Sequence, residues 1–234
     1  MRKKKVGAIA IQSFALLVVL GTAYQTTAQD TTTPYPNMAP INQYLMPDQG
    51  AEIALARSEA PESISRDAEV LILGRHGFET AVKGKNGFVC IVERSWTSAA
   101  DADFWNPKVR VPRSYLLHLT KETEWGLAGR TQAQMTESIT AAIAKKELSA
   151  MKSGAMCYMM SKQGYGGDST PHWPSPLMFF YSDTDPAIWG ANLQGSPVLG
   201  VNDTVEHLTT FVVPVQRWSD GAEYREGSVA EHHH

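Results

Sequence analysis

Basic clusters are missing from the body of this 234-residue chain: its one run of four Lys and Arg lies at residues 2–5. Nucleic-acid binding is driven by cations that displace counterions from phosphates, so this absence excludes nucleic acid as a partner. No apolar run reaches the roughly 20 residues that a membrane-crossing helix needs. The longest, residues 6–20, is broken by Gln12 and Ser13. The chain also lacks a Gly-x-Ser-x-Gly elbow, a His-Glu-x-x-His helix, a Walker loop and a dinucleotide-binding glycine fingerprint, which removes the mechanisms those motifs carry. No internal repeat is visible, and strands do not alternate with helices as a parallel βαβ fold requires.

The N-terminus supplies what the body lacks. Its basic residues, the apolar stretch and the small residues Thr26 and Ala28 are the parts of a secretory signal peptide, residues 1–28, cleaved after Ala28. The first cysteine is Cys90, so none follows the cleavage point to take a lipid. Residues 1–28 carry four positive charges and no negative one, so their removal moves the formal charge from -3 to -7. The expected product is periplasmic or secreted, with no transmembrane segment. Its 206 residues suit one domain with a real core. An oxidising compartment favours a Cys90–Cys157 disulfide, closing a 67-residue loop for about 4 kcal/mol in the chain-entropy account. Two buried thiols in neighbouring strands are the alternative.

Residues 29–47 read as an extended Thr/Pro-rich arm, 48–220 as a single domain, and 221–234 as a disordered tail or tag remnant ending in three histidines. Asp48 is an N-cap for a helix over "QGAEIALARSEA" that stops at Pro61. Three β-type runs follow, "AEVLILG", "GFETAVKG" and "GFVCIVERSW", the last two joined at Asn86-Gly87, a strong hairpin signal. With those two as the loop residues, Val82 faces Ile91 and Glu79 faces Arg94 as a cross-strand ion pair, whereas a wider loop sets Phe78 against Glu93. "WNPKVRVP" reads as a Pro-bounded connection and "SYLLHLTKETEW" as a helix. Thr131 and Gln134 form the capping box of a second helix that turns Met135, Ile139 and Ile143 to the core. "GAMCYMMS", "PLMFFYS" and "HLTTFVVPVQRW" are further strands. The expected fold is α+β, a mostly antiparallel sheet of about five or six strands with two or three helices packed on one face.

Chemistry is sparser. "SAMK" at 149–152 matches the Ser-x-x-Lys of penicillin-recognising acylases, but the next motif overlaps it on Lys152 and no Ser-Asp-Asn follows, so it reads as a linker. Met156, Met159, Met160 and Met178 read as core filling. The loop "SKQGYGGDSTPHW" sets Lys162, Tyr165, Asp168, His172 and Trp173 beside a buried strand, where sites concentrate, although a long surface turn between two hairpin strands accounts for it more simply. His118 sits in a helix pattern and His207 starts a strand, so both read as structural, whereas His76 stands at the "GRHG" corner. A metal needs three or four convergent ligands, and no spacing supplies them. His76, Glu79 and His172 become an acid/base or metal-assisted set only if two strand-end loops meet. Trp96, Trp105, Trp173 and Trp189 suit either a flat ligand or core edges.

At "GRHGFETAVKGKNGFVCIVERSW", "FWNPKVR", "GAMCYMMSKQGYGGD", "HWPSPLMFFY" and "FVVPVQRWSDG" the chain resembles a family of uncharacterised exported bacterial proteins. The resemblance implies export and assigns no activity. In "HWPSP", Pro174 and Pro176 stand where the family's pattern has histidines, which counts against a metal at that motif. The family's longer, cysteine-containing segment near Pro112 is missing, so the disulfide pattern need not follow the family's.

Two functions are expected from these residues. The first is an exported ligand-binding or envelope-associated module, taking a small molecule or envelope component at the His76 corner and the loop from Gly164 to His172. The alternative is a small exported hydrolase using His76, Glu79 and His172; no cofactor is specified. Export is directly testable: protein from an exporting host should begin at Gln29 by intact mass, and retention of residues 1–28 would refute cleavage.

Overall fold

The computed structural model describes residues 35–97, 104–114, 118–148, 153–168 and 176–224. The signal segment, the Ser-x-x-Lys pattern, His172 and Trp173 fall outside these. No helix among the described residues is long and apolar enough to cross a membrane.

Asp48 caps α1 (Gln49–Arg57), its carboxylate accepting from Gly50 N at 2.8 Å. A short α2 (Glu62–Ser65) leads into β1 (Glu69–Gly74), which turns at Arg75-His76 into β2 (Gly77–Val82). Gly77 closes that turn with a φ of 129°, which a side chain would strain. β3 (Val89–Glu93) then pairs in parallel with β1, not with β2. The Asn86-Gly87 hairpin is therefore not formed, and Val82 lies opposite Val70 and Glu79 opposite Ile72. Burial explains the choice. Residues 90–93 are all buried and need a neighbour on each side, whereas β2 is exposed at residues 79–81 and suits an edge. Asn86 anchors the connecting loop instead, donating to Ile64 O at 2.7 Å and accepting from Phe88 N at 3.1 Å.

β4 (Val111–Ser114) begins in the segment read as a connection and ends on Ser114, the first residue of the run read as a helix; it pairs with β3 and completes a sheet of order β2-β1-β3-β4. Its Pro112 is tolerated because β4 is an edge strand. After α3 (Leu119–Leu127) and α4 (Gln132–Ala144) come β5 (Ala155–Tyr158), β6 (Pro176–Ser182), β7 (Leu199–Asp203) and β8 (Leu208–Pro214). These four form a wholly antiparallel sheet of order β5-β6-β8-β7. The fold is thus α+β and mostly antiparallel, with the described strands in two sheets of four rather than one of five or six. α4 carries the Thr131–Gln134 capping box and buries Met135, Ile139 and Ala142, while Ile143 is only half-buried.

Alternate residues of β3 enter different core layers, as the two-residue strand period dictates. Cys90 and Val92 pack with Leu55 and Ala56 of α1 and with Val70 and Ile72. Ile91 packs with Cys157, Met178, Phe180 and Leu208 of the second sheet and with Leu119 of α3. The expected Cys90–Cys157 disulfide is corrected by this division. Both residues are free, buried thiols in separate clusters, and Cys157 Sγ donates to Ser114 O at 3.7 Å.

Just past β3, Arg94 is fully buried. Its Nε donates to Tyr44 O at 2.9 Å, its Nη2 to Glu52 Oε1 at 2.8 Å, and its Nη1 to Val92 O. Glu52 Oε1 also accepts from Leu73 N at 3.1 Å. Tyr44 belongs to the Thr/Pro-rich segment, whose described part packs onto the fold. Its ring meets Trp96 edge-on at 4.7 Å and its hydroxyl donates to Trp105 O at 2.8 Å. Breaking one side of a buried ion pair costs about 3–5 kcal/mol. Glu52→Ala should lower stability by that amount in urea unfolding, whereas Glu79→Ala on the exposed edge should change it by at most about 0.5 kcal/mol. The opposite ranking would restore the Glu79–Arg94 register.

Candidate functional site

His118 is the residue at the N-cap of α3, and Glu122 lies in its first turn. Helix residues four apart share a face. α3 is seated by Gly126: a Cβ there would lie 3.1 Å from Trp96 Cδ1, so glycine lets the buried indole approach. Glu206 comes from the β7–β8 turn. Asp203 Oδ1 accepts from the backbone N–H groups of Val205 at 2.8 Å and Glu206 at 2.9 Å, the usual work of an aspartate in a turn. His207, with a φ of 53°, then swings the chain into β8.

These elements bring three donors together. His118 Nδ1 is 3.2 Å from Glu206 Oε2. One ligand atom from each of His118, Glu122 and Glu206 lies within 4.8 Å of the others. Glu122 is only 2% exposed, and its Oε2 has no hydrogen-bond partner among the described residues. Beside the cluster, Arg113 Nη1 donates to Glu93 Oε2 at 2.6 Å.

Burial pushes the His118 imidazole down to about 4, with Arg113 adding to the shift and Asp203 opposing it. Its contact with Glu206 has the length of an ion pair, but a ring held that low is uncharged at neutral pH. Burial pushes Glu206 up to about 7, Asp203 adding and Arg113 opposing. Glu122 is held well above the carboxylate range by burial first, then by Glu206, Glu93 and Asp203, against Arg113. A neutral imidazole and two crowded carboxylates can be satisfied by protons or by a cation. Two ligands each about 2.1 Å from a metal ion stand about 3.0–3.4 Å apart in octahedral or tetrahedral geometry. The separation of His118 from Glu206 already falls in that range.

The residues singled out from the sequence lie elsewhere. His76 is exposed in the β1–β2 turn and Glu79 is exposed on β2. Lys162 is paired with Asp220 at 2.7 Å. Asp168 accepts from the hydroxyls of Tyr165 and, at 3.1 Å, of Tyr35. None of these joins the His118 cluster. His118 was readable only as a helical histidine, yet its four-residue spacing to Glu122 was a usable signal. Nothing local marked Glu206.

The chain matches no family model, no curated protein and no solved structure, so its own geometry carries the functional argument.

A second buried carboxyl shows what a structural site looks like here. Glu59 is 0% exposed; its Oε1 accepts from Ser114 Oγ at 3.2 Å and the Cys90 thiol lies against it, while its Oε2, like Glu122 Oε2, has no hydrogen-bond partner among the described residues. Burial holds it well above the carboxylate range, against Cys90, Ser114 and Arg113. Folded protein therefore keeps a proton that the unfolded chain releases above its ordinary value of about 4.3. That contribution to stability is full below about pH 4 and is lost as pH rises toward the folded value. Glu59→Gln should accordingly raise the melting temperature relative to wild type more at pH 8 than at pH 4. A difference in melting temperature independent of pH would show that Glu59 is ionised in the fold.

Proposed function

We propose that this chain is an exported protein that holds a divalent transition-metal cation between α3 and the β7–β8 turn and uses it for metal-assisted hydrolysis. His118 Nδ1, Glu122 and Glu206 are the ligands. Glu122 carries the reading: a carboxylate almost wholly buried, with an oxygen lacking a partner among the described residues, gathered with an imidazole nitrogen and a second carboxylate. Burying such a group unpaired is costly, and a cation offsets the cost.

One nitrogen and two oxygen donors suit Mn²⁺, Fe²⁺, Co²⁺ or Zn²⁺ better than a thiophilic ion. Three protein ligands leave positions for water, as catalytic sites do and closed structural sites do not. A cation so held lowers the pKa of its water and polarises a substrate oxygen. The 161–168 loop is less well supported as a ligand surface, because Lys162 and Asp168 are engaged within the protein.

Mn²⁺ at 100 times its dissociation constant should stabilise the metal-free protein by about 2.7 kcal/mol, raising the melting temperature roughly 5–11 °C. Glu122→Gln and His118→Ala should lose the shift, while His76→Ala and Glu79→Ala keep it. Absence of a shift in wild type with Mn²⁺, Co²⁺ and Zn²⁺ alike would overturn the proposal, as would a full shift in Glu122→Gln.

A further inference from the structure

The cation reading above leaves one neighbouring group unexplained. Arg113 is the guanidinium whose charge acts on His118, Glu122 and Glu206 together. It stands on β4 directly opposite Ile91, and directly opposed residues share a face of the sheet. That face is the one where Ile91 meets α3 and the second sheet. Glu93, two residues along and on the same face, takes the Nη1 side of the guanidinium at 2.6 Å.

Nη1 lies on the Cδ side of the planar fork, so the Nε–H bond points along the opposite edge, which Glu93 does not use. Arg113 Nε is buried and has no hydrogen-bond partner among the described residues. The Cys157 thiol interacts with the guanidinium while donating to the Ser114 and Tyr158 carbonyls, and thiol sulfur is only a weak acceptor, so Nε lacks a strong one. A buried N–H left unpaired is costly. The Nε edge of arginine is suited to gripping carboxylate and phosphate oxygens.

Resting on the cation reading, we infer that the substrate of this site is an oxyanion, a phosphate or carboxylate group. One of its oxygens completes the cation's coordination and another accepts from Arg113 Nε. The acidic surroundings set a condition on this. Glu93, Glu122, Asp203 and Glu206 outnumber Arg113 around the cluster, so an anion enters only with the cation in place. Cation and oxyanion therefore bind with positive, reciprocal coupling.

Mn²⁺ affinity measured by calorimetry with and without inorganic phosphate or acetate, corrected for their association in solution, tests this. In wild type at least one probe should tighten Mn²⁺ binding by about tenfold. Tightening by phosphate alone assigns a tetrahedral oxyanion, by acetate alone a carboxylate, and by both a site open to either. Arg113→Lys keeps the charge and the Glu93 pairing but has no Nε–H, so it should bind Mn²⁺ as wild type does and lose the tightening. Wild type that binds Mn²⁺ with no tightening by either probe overturns this inference and leaves the cation site standing. Full tightening in Arg113→Lys overturns it equally. If Mn²⁺ does not bind at all, the cation reading falls first and this inference falls with it.

Discussion

Arg94 sits wholly buried at the end of β3, with each of its three nitrogens bonded to a different acceptor: Tyr44 O, Val92 O and Glu52. A charge in that position is tolerated only while every partner is in place, because its desolvation costs several kcal/mol. Glu52 answers it from α1 and at the same time takes Leu73 N of β1. One ion pair thus fixes the helix against two strands and ties in the segment that contains Tyr44. With α1 held there, β3 must be interior. That leaves β2, with His76 and Glu79, on the exposed edge.

The interior position of β3 divides the buried polar groups as well as the apolar ones. On the Cys90 side, Glu59 meets a hydroxyl and a thiol, both of which donate. On the Ile91 side, Glu122 meets a carboxylate and an imidazole nitrogen. Burial pushes both carboxyls well above the carboxylate range, but they differ in what surrounds them. Each leaves one oxygen without a partner among the described residues, but Glu59 has donors beside it. Lone pairs around a carboxyl leave a deficit of positive charge, and that is the physical distinction between a structural acid and a ligand site.

Features decided within a few residues were legible in the sequence. The Asp48 cap, the Thr131–Gln134 box and the strands β5, β6 and β8 all follow from local pattern. Features decided by a distant partner were not. β4 contains Pro112 and β7 contains Gly200, so neither reads as a strand until its neighbour is known. Asn86-Gly87 is a sound local hairpin signal that lost to the burial demand of β3. The cysteine count and compartment favoured a bridge, but neither reports which face of the sheet a thiol occupies. His118 and Glu122 were within reach because helix geometry is local; Glu206 arrives only through the folding of the second sheet.

The two histidines set aside as structural have come to opposite uses, and backbone position explains each. His207 takes a left-handed φ of 53° in the β7–β8 turn, a conformation in which histidine is enriched among residues with a Cβ. Its work is to reverse the chain and so to present Glu206. His118 stands at the start of α3, where the helix dipole is positive. That end disfavours an imidazolium, in the same direction as the burial that holds the ring neutral, so the His118 lone pair stays available. A helix start joined to a strand turn thus brings an imidazole nitrogen and two carboxyl groups to one point, with burial the main cause of the ring's neutrality and the helix end acting the same way.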